Sequence, residues 1–378
     1  MLDLSFSPEQ EMLRDLVRGV CAEHAPLSVV REMEDDPAGF PAGLWKQFAD
    51  LDLVGLLLPE AYGGSGMTLV EGTVLYEELG RALAPVPHLV SSVLAGGALL
   101  AGGHEPQRAD WVPRIASGDA IVTPAWLEPD GGFGPAGVRA TATGDGAAGR
   151  YVLSGSKRHV AFARAATRLL VLARTGAEET DIDLFLVDPQ ADGVTLTQQL
   201  TMAADTQYRV ELDGVRVVEA DRVGDAGSGW RAWQAVRDDA LVLLAAWAVG
   251  AAGYAQEITV QYAKDREQFG KPIGAFQSIA HYLAEGETEL DGARTLVHEA
   301  AWARAGGRPE AARLAPMAKL FAGQMLRKLT ATAQQIFGGV GFTLDYDIQL
   351  YFRRAKALQI GWWNDRHLEE LIASDVLD

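Results

Sequence analysis

The sequence predicts an α+β fold in which a β-domain is inserted between two helical domains. Apolar residues recur at helical spacing through residues 1–118, and short alternating runs with turns replace them over residues 119–224. Helical spacing returns over residues 225–378, in long stretches with short connections. We therefore expect an N-terminal all-α domain, a middle β-barrel or β-sandwich domain and a C-terminal four-helix bundle, with these bounds.

The first domain opens with a helix-start signal. Ser7 is a favoured N-cap residue, Pro8 suits the first helical turn, and Gln10 completes a capping box. The run of apolar residues that follows has helical spacing. Three further helices are predicted, at Leu44–Leu53, Thr68–Leu83 and His88–Ala101.

The middle domain has the pattern of strands joined by tight turns. Leu169–Leu172 is a continuous apolar strand, and the alternation within Ile182–Val187 and within Tyr208–Asp213 predicts two further strands. Asp213-Gly214 is a hairpin signal. The glycines at 144 and 149 indicate the tip of a loop.

Long helices make up the last domain. They are predicted at Trp230–Lys264, Ile279–Ala305, Glu310–Phe337 and Ile348–Ile360. The run Ala240–Ala255 has 16 residues without a charge, whereas a membrane span needs roughly 18 or more. We interpret it as a core helix and expect no membrane insertion.

Composition excludes several classes of protein. The chain carries 33 Lys and Arg against 51 Asp and Glu, a net charge of −18, which argues against a nucleic-acid partner. Cys21 is the single cysteine, so we expect a buried inert thiol, no disulfide and no metal site. The N-terminus lacks the features of a signal peptide, and we expect a cytoplasmic protein.

The most specific motif lies between two predicted helices. It reads Arg266-Glu267-Gln268-Phe269-Gly270-Lys271-Pro272-Ile273 and is followed by Phe276-Gln277. Gly270 and Pro272 are explained by the end of one helix and the start of the next, but the other residues are not. A second motif, from Gln335 to Gly338-Gly339, lies near the end of the third long helix.

Together with the order of the domains, these motifs resemble those of the acyl-CoA dehydrogenase family over nearly the whole chain. The resemblance implies FAD at a subunit interface, possibly shared with a partner. It places Arg266 on the pyrophosphate, Phe269 and Gln277 at the adenine-nucleotide end, and the glycine turn beside it. The cofactor-binding residues it implies are Arg266, Gln268, Phe269, Gln277, Gln335, Gly338 and Gly339.

The catalytic base of the family is absent from this sequence. The family's Tyr-Glu-Gly-Thr pattern matches Gly361-Trp362-Trp363-Asn364, so Trp362 occupies the position of the glutamate. The alternative base position, near the start of the first bundle helix, is Ala240, and Asp239 lies one residue away. Trp363, Asn364 and Asp239 remain weak candidates for residues near the flavin or substrate.

The middle domain also departs from the family pattern. Where the family has Thr-Glu-Pro the chain has Leu127-Glu128-Pro129, and the aromatic and hydroxyl residues that flank the flavin become His159 and Ala161. Glu128 and His159 are further weak candidates. A histidine here acts as an acid or base near a ligand or, more commonly, is a hydrogen-bonded strand residue.

Three functions remain open at this point. The chain resembles the heterotetrameric branch that acts on bulky steroid CoA thioesters, which implies a homologous partner subunit, an acyl-CoA substrate and an electron-transfer flavoprotein as acceptor. A homo-oligomeric flavoenzyme with other chemistry, such as monooxygenation, is the second reading. A flavin-free member, either non-catalytic or catalysing a non-redox reaction, is the third.

Overall fold

A computed structural model describes residues 6–147 and 149–377 of the chain. These residues belong to two compact units, which we treat separately. The helical unit comprises Met1–Val30, Thr68–Ala84 and Leu241–Asp378. The mixed unit comprises Arg31–Met67 and Pro85–Ala240 and contains the large β-sheet.

The N-terminal helices include the predicted ones, with bounds shifted by one to three residues, and a short one that we did not predict. They are α1 (Pro8–His24), the unpredicted α2 (Leu27–Glu32), α3 (Ala42–Asp50) and α4 (Leu69–Ala82). The capping box at α1 is confirmed, since Ser7 Oγ accepts from Gln10 N and Gln10 Oε1 accepts from Ser7 N. Thr68 and Glu71 form a second capping box at α4.

A helix is present over the predicted range His88–Ala101, but its first part is not an α-helix. Leu89–Gly96 forms a π-helical segment, and the α-helix α5 (Gly97–Gly102) follows it, then α6 (Glu105–Ala116). Nearly every residue of the π-helical segment is buried. An apolar run buried all round has no periodicity that separates a π-turn from an α-turn.

The sheet of the mixed unit has seven strands. They are β1 (Val122–Ala125), β2 (Thr141–Gly144), β3 (Arg150–Ala161), β4 (Arg168–Arg174), β5 (Ile182–Val187), β6 (Val194–Gln199) and β7 (Gln207–Val218). Their order is β1-β4-β2-β3-β7-β6, with β5 paired to β4. β4 contains the predicted strand Leu169–Leu172, and β2 and β3 flank the predicted loop tip.

The strand Ile182–Val187 is present as predicted, whereas the hairpin at Asp213-Gly214 is not. Every residue of β5 is buried, including Asp183, so its alternation in sequence does not correspond to one face open to solvent. Asp213-Gly214 forms no hairpin but lies inside β7, where Gly214 has φ +68° and the register against β3 shifts. A glycine at positive φ serves a bulge as readily as a turn.

The C-terminal helices are α7 (Gly229–Asp265), α8 (Gln277–Ala305), α9 (Ala311–Phe337), α10 (Ile348–Ile360) and α11 (Asp365–Leu377). The four predicted helices are present, and α11 is one that we did not predict. By length and composition α7 could cross a membrane, but 72% of its most apolar window is buried, as in a core helix. A Cβ on Gly250 would lie 1.7 Å from the Glu77 carbonyl oxygen, so α7 and α4 meet backbone to backbone there.

Candidate functional site

In the helical unit, the loop between α7 and α8 is a tight hairpin that presents an aromatic ring. The two-residue strands β8 (Glu267–Gln268) and β9 (Lys271–Pro272) pair with each other. Phe269 and Gly270 turn between them at φ +56° and +79°. The Phe269 side chain is 94% exposed. A phenyl ring held out on a rigid turn provides a surface for another molecule to cover.

The residues expected to bind the adenine-nucleotide half of FAD remain open to solvent. Arg266, Gln268, Gln277 and Gln335 are all exposed. Gly338 has φ +66°, and a Cβ on Gly338 or on Gly339 would meet no atom within 4 Å. An open guanidinium, exposed amides and a bare glycine backbone suit a pyrophosphate and its nucleoside. These residues of the helical unit fit the adenine-nucleotide end of the cofactor that the resemblance implies.

A buried glutamine beside this turn was not singled out from the sequence. Gln334 is 3% exposed, and neither its Oε1 nor its Nε2 has a hydrogen-bond partner among the described residues. Next to it the Phe337 ring stacks on Tyr262 with centroids 4.2 Å apart. An unsatisfied buried amide costs free energy, and such groups concentrate at functional sites.

The first half of α8 lacks a buried face. From Gln277 to Glu289 every residue is exposed or half-buried, and the first buried residue is Leu290. Apolar side chains of the same unit also lie exposed, among them Phe342 at 70% and Leu344 at 76%. This part of α8 therefore contributes no residue to the core of the helical unit.

The position of the family's base is a strained turn of two tryptophans after α10. Trp362 and Trp363 have φ +48° and +64°, in the left-handed region that costs about 1–2 kcal/mol for a bulky residue. Trp363 is buried and Trp362 half-buried. Asn364 caps α11, with its Oδ1 3.1 Å from the His367 amide nitrogen. No carboxylate replaces the missing glutamate in this turn, Gly361–Asn364.

Lys319 holds this turn, and sequence reasoning missed it. Its side chain is 1% exposed, and Nζ donates to the carbonyls of Leu358, Gly361 and Trp363 at 2.9, 3.4 and 3.0 Å. Burial lowers the pKa of Lys319 to about 8, although the negative charge of Asp365 acts to raise this pKa. The signal in the sequence is a lysine on the apolar face of a long helix.

In the mixed unit, the two stretches that depart from the family pattern lie against each other. Lys157 Nζ is 2.5 Å from Glu128 Oε1, and their side chains are 0% and 5% exposed. Both oxygens of Glu128 also accept from the Ala140 amide nitrogen. Burial lowers the pKa of Lys157, while the Glu128 charge opposes the shift. The partners of the Glu128 carboxylate, Lys157 and Ala140, therefore both belong to the mixed unit.

His159 occupies the place of the family's aromatic residue. Its backbone has φ +55° within β3, and its ring is exposed. Nδ1 lies 2.9 Å from Gln207 Oε1, and its amide nitrogen donates to Gln199 Oε1 at 2.9 Å. Ala161 offers no hydroxyl, and its carbonyl accepts from Thr123 Oγ1. At Leu127 and Ala161 the mixed unit lacks the hydroxyl groups that the resemblance places beside the flavin ring.

The alternative base position carries no acid either. Ala240 is fully buried, Asp239 is half-buried, and Asp238 pairs with Arg237 at 2.9 Å. Trp126 packs against Trp233 and Phe133 with centroids 5.1 and 5.8 Å apart. Trp126, Phe133 and Trp233 form an apolar aromatic cluster in the mixed unit.

Comparison with known proteins gives consistent matches along the chain. Family models described as the N-terminal, middle and C-terminal domains of acyl-CoA dehydrogenase match residues 7–119, 124–215 and 227–376. A probable acyl-CoA dehydrogenase of Bacillus subtilis is 32% identical, covering 95% of this chain and 96% of the relative. An acryloyl-CoA reductase (NADH) of Anaerotignum propionicum is 30% identical, covering 100% and 96%.

Solved structures agree with these sequence matches. The ChsE4-ChsE5 complex from Mycobacterium tuberculosis superposes with a TM-score of 0.89 at 28% identity, covering 100% of this chain and 99% of the other. A steroid ACAD, Tcur3481-Tcur3483, gives 0.85 at 32% identity and 97% coverage of both chains. Each of these two proteins has a name that joins two components.

Proposed function

The chain belongs to the acyl-CoA dehydrogenase family, and from this premise we propose that it is a subunit that works with a homologous catalytic partner. The pair would carry out α,β-dehydrogenation of a CoA thioester, with the partner supplying the base. The observation that carries this proposal is Trp362 in the base position, in a helical unit whose Arg266, Gln277 and Gln335 stay exposed.

The missing carboxylate decides what the chain can do alone. Removal of the weakly acidic α-proton of a thioester needs a positioned base, which typically contributes about 10²–10⁴-fold. The Trp362 indole has an N–H that donates but no group that accepts a proton. By itself the chain should therefore be a poor or inactive dehydrogenase.

The residues of the two units suit the cofactor unequally. Arg266, Gln277, Gln335 and Gly338-Gly339 would hold the adenine-nucleotide end of FAD seated mainly in the partner, and this cofactor would supply the hydride acceptor of the reaction. The residues around Leu127 and Ala161 lack the hydroxyl donors expected beside the ring. We derive no step through a flavin seated in this chain's own mixed unit.

Exposed groups of the helical unit support a homologous partner. They are the first half of α8, the Phe269 hairpin, and the side chains of Phe342 and Leu344. Two-component relatives such as the ChsE4-ChsE5 complex provide the precedent for a heteromeric pair. By the same analogy we propose a lipid or steroid CoA thioester as substrate, an electron-transfer flavoprotein as acceptor and a cytoplasmic location.

Purifying the chain alone and co-expressed with a homologous subunit that carries the glutamate tests the proposal. We expect the visible absorption of bound flavin in the complex and little in the chain alone, with flavin quantified per subunit after denaturation. Dehydrogenation of a CoA thioester should require both chains. A full complement of flavin on a homo-oligomer of this chain would instead favour a flavoenzyme with other chemistry.

A further inference from the structure

A cavity of the helical unit opens between α7, α8 and α9. Its volume is about 80 Å³, several times the space that one ordered water needs. Leu329, Ala333 and Ile336 of α9 supply buried apolar lining. From α8, Tyr282 and Glu285 lie at an exposed rim. Among the described residues, none that the resemblance assigns to the cofactor lines this cavity, so it is a separate feature of the unit.

Gly286 leaves the cavity open inside α8. Glycine is less favourable than alanine in a helix interior, so helix stability does not explain this residue. A Cβ on Gly286 would lie 3.1 Å from Gln256 Oε1, closer than an ordinary van der Waals contact. The missing side chain therefore keeps the Gln256 oxygen accessible from the cavity.

Gln256 of α7 is a buried acceptor whose orientation is fixed. Its side chain is 7% exposed, and Nε2 donates to the Leu283 carbonyl oxygen at 2.6 Å. Because a carbonyl oxygen only accepts, the NH₂ group must face Leu283, which leaves Oε1 next to Gly286. Within residues 6–147 and 149–377 we find no donor to Oε1. A buried oxygen without a donor costs free energy that a bound N–H group would restore.

Carboxylates outnumber cations around the cavity. Glu285 and Glu289 both line it, and Lys328 is the one basic residue in its lining within the described chain. Glu289 pairs with Lys328, and this hydrogen bond, together with the nearby charge of Glu285, raises the pKa of Lys328. Lys328 neutralises one carboxylate, so one negative charge remains uncompensated. The polar groups of the cavity therefore favour a cation that donates N–H groups over an anion.

We propose that this cavity binds a primary ammonium or guanidinium group carried on a short apolar stem. Gln256 Oε1 and the Glu285 carboxylate accept from the N–H groups. Leu329 and Ala333 contact the stem. This goes beyond the proposed function, because it involves neither the cofactor residues nor the position of the base. A free alkylamine carries this chemistry, and so does a lysine or arginine side chain of another protein chain.

Saturation-transfer difference NMR on the purified chain tests the proposal with three probes that share a four-carbon stem. They are n-butylammonium, 1-butanol and butanoate. We expect n-butylammonium to bind at least about tenfold more tightly than 1-butanol, the usual value of hydrogen bonds to a charged group, and butanoate to bind least. Equal binding of 1-butanol, a preference for butanoate, or binding of none of the three would overturn the proposal.

Two variants locate the binding in this cavity. Gly286→Ala keeps the helix, since alanine is the stronger helix former, but places a methyl group against Gln256 Oε1 and should weaken n-butylammonium binding about tenfold. Glu285→Gln removes the uncompensated charge and should weaken binding about fivefold. The matched control is Glu287→Gln, which alters an exposed α8 carboxylate outside the lining and should leave binding unchanged. Unaltered binding in Gly286→Ala, or equal effects of the two glutamate variants, would contradict the proposal.

A fourth probe identifies the source of the cation. In N-acetyl-lysine N′-methylamide the side-chain ammonium carries the only charge. Binding tighter than that of n-butylammonium identifies a side chain of another protein chain as the occupant. Equal or weaker binding identifies a free alkylamine. If neither probe binds, the cavity takes no ammonium group and the proposal is wrong.

Discussion

The helical unit and the mixed unit use their polar side chains in opposite ways. On the helical unit, Arg266 and Gln277 remain exposed beside glycines with open space around them. In the mixed unit, Lys157 and Glu128 are buried and bound to each other. A motif whose polar groups satisfy one another stabilises its own fold, whereas a motif whose polar groups stay open is arranged for a ligand or partner.

Breaking the buried pair should have the largest effect. Glu128→Gln leaves the Lys157 ammonium buried without its counter-charge, and we expect a loss of about 3–5 kcal/mol in the free energy of unfolding, measured by urea denaturation. The double variant Glu128→Leu, Lys157→Met removes both charges and should recover most of that loss. A single variant as stable as the original chain would mean that the pair is not what holds these two stretches together.

Removing the exposed charge should affect cofactor retention rather than folding. In the complex with a partner, Arg266→Ala should weaken FAD binding about 10- to 100-fold, the usual value of hydrogen bonds to a charged group. Arg266→Lys should lie in between, because it keeps the charge and loses the planar fork. The control is Lys271→Ala on the same hairpin. Equal losses in Lys271→Ala would point to general charge and not to a pyrophosphate contact.

The Lys319 clamp predicts a pH dependence of stability. Its pKa is about 8 in the fold against an ordinary value of 10.5, so between these values the unfolded chain binds more protons and stability rises with pH. The contribution should be up to about 1.4 kcal/mol per pH unit in that window. This contribution is measured as the difference in urea midpoint between the original chain and Lys319→Met, from pH 7 to pH 11. If the midpoints of the two proteins change with pH in parallel, the contribution of Lys319 is ruled out.

The smallest effect on the isolated chain is expected at Phe269. Because its ring is 94% exposed, Phe269→Ala should change the free energy of unfolding by less than about 0.5 kcal/mol. The same variant should weaken assembly with the partner, measured by analytical ultracentrifugation of the mixed chains. Unchanged assembly would remove the hairpin from the proposed interface.

Local signals in the sequence predicted much of the fold. The Ser7 capping box, the apolar strand around Leu170 and the long C-terminal helices follow from propensity, capping and periodicity, which act over a few residues. The π-helical segment, the buried face of β5 and the bulge at Gly214 were not predictable in this way. In each case the conformation depends on what packs against the segment.

The sequence by itself determined the family, the absence of a carboxylate at Trp362 and the presence of the Arg266 motif, since each is a matter of residue identity and spacing. Only the tertiary structure decided that Glu128 pairs with Lys157, that Lys319 binds the turn at Trp363, and that Gln207 orients His159. Those pairs lie 29 to 48 residues apart in the chain, and a hydrogen bond depends on distances that folding alone sets.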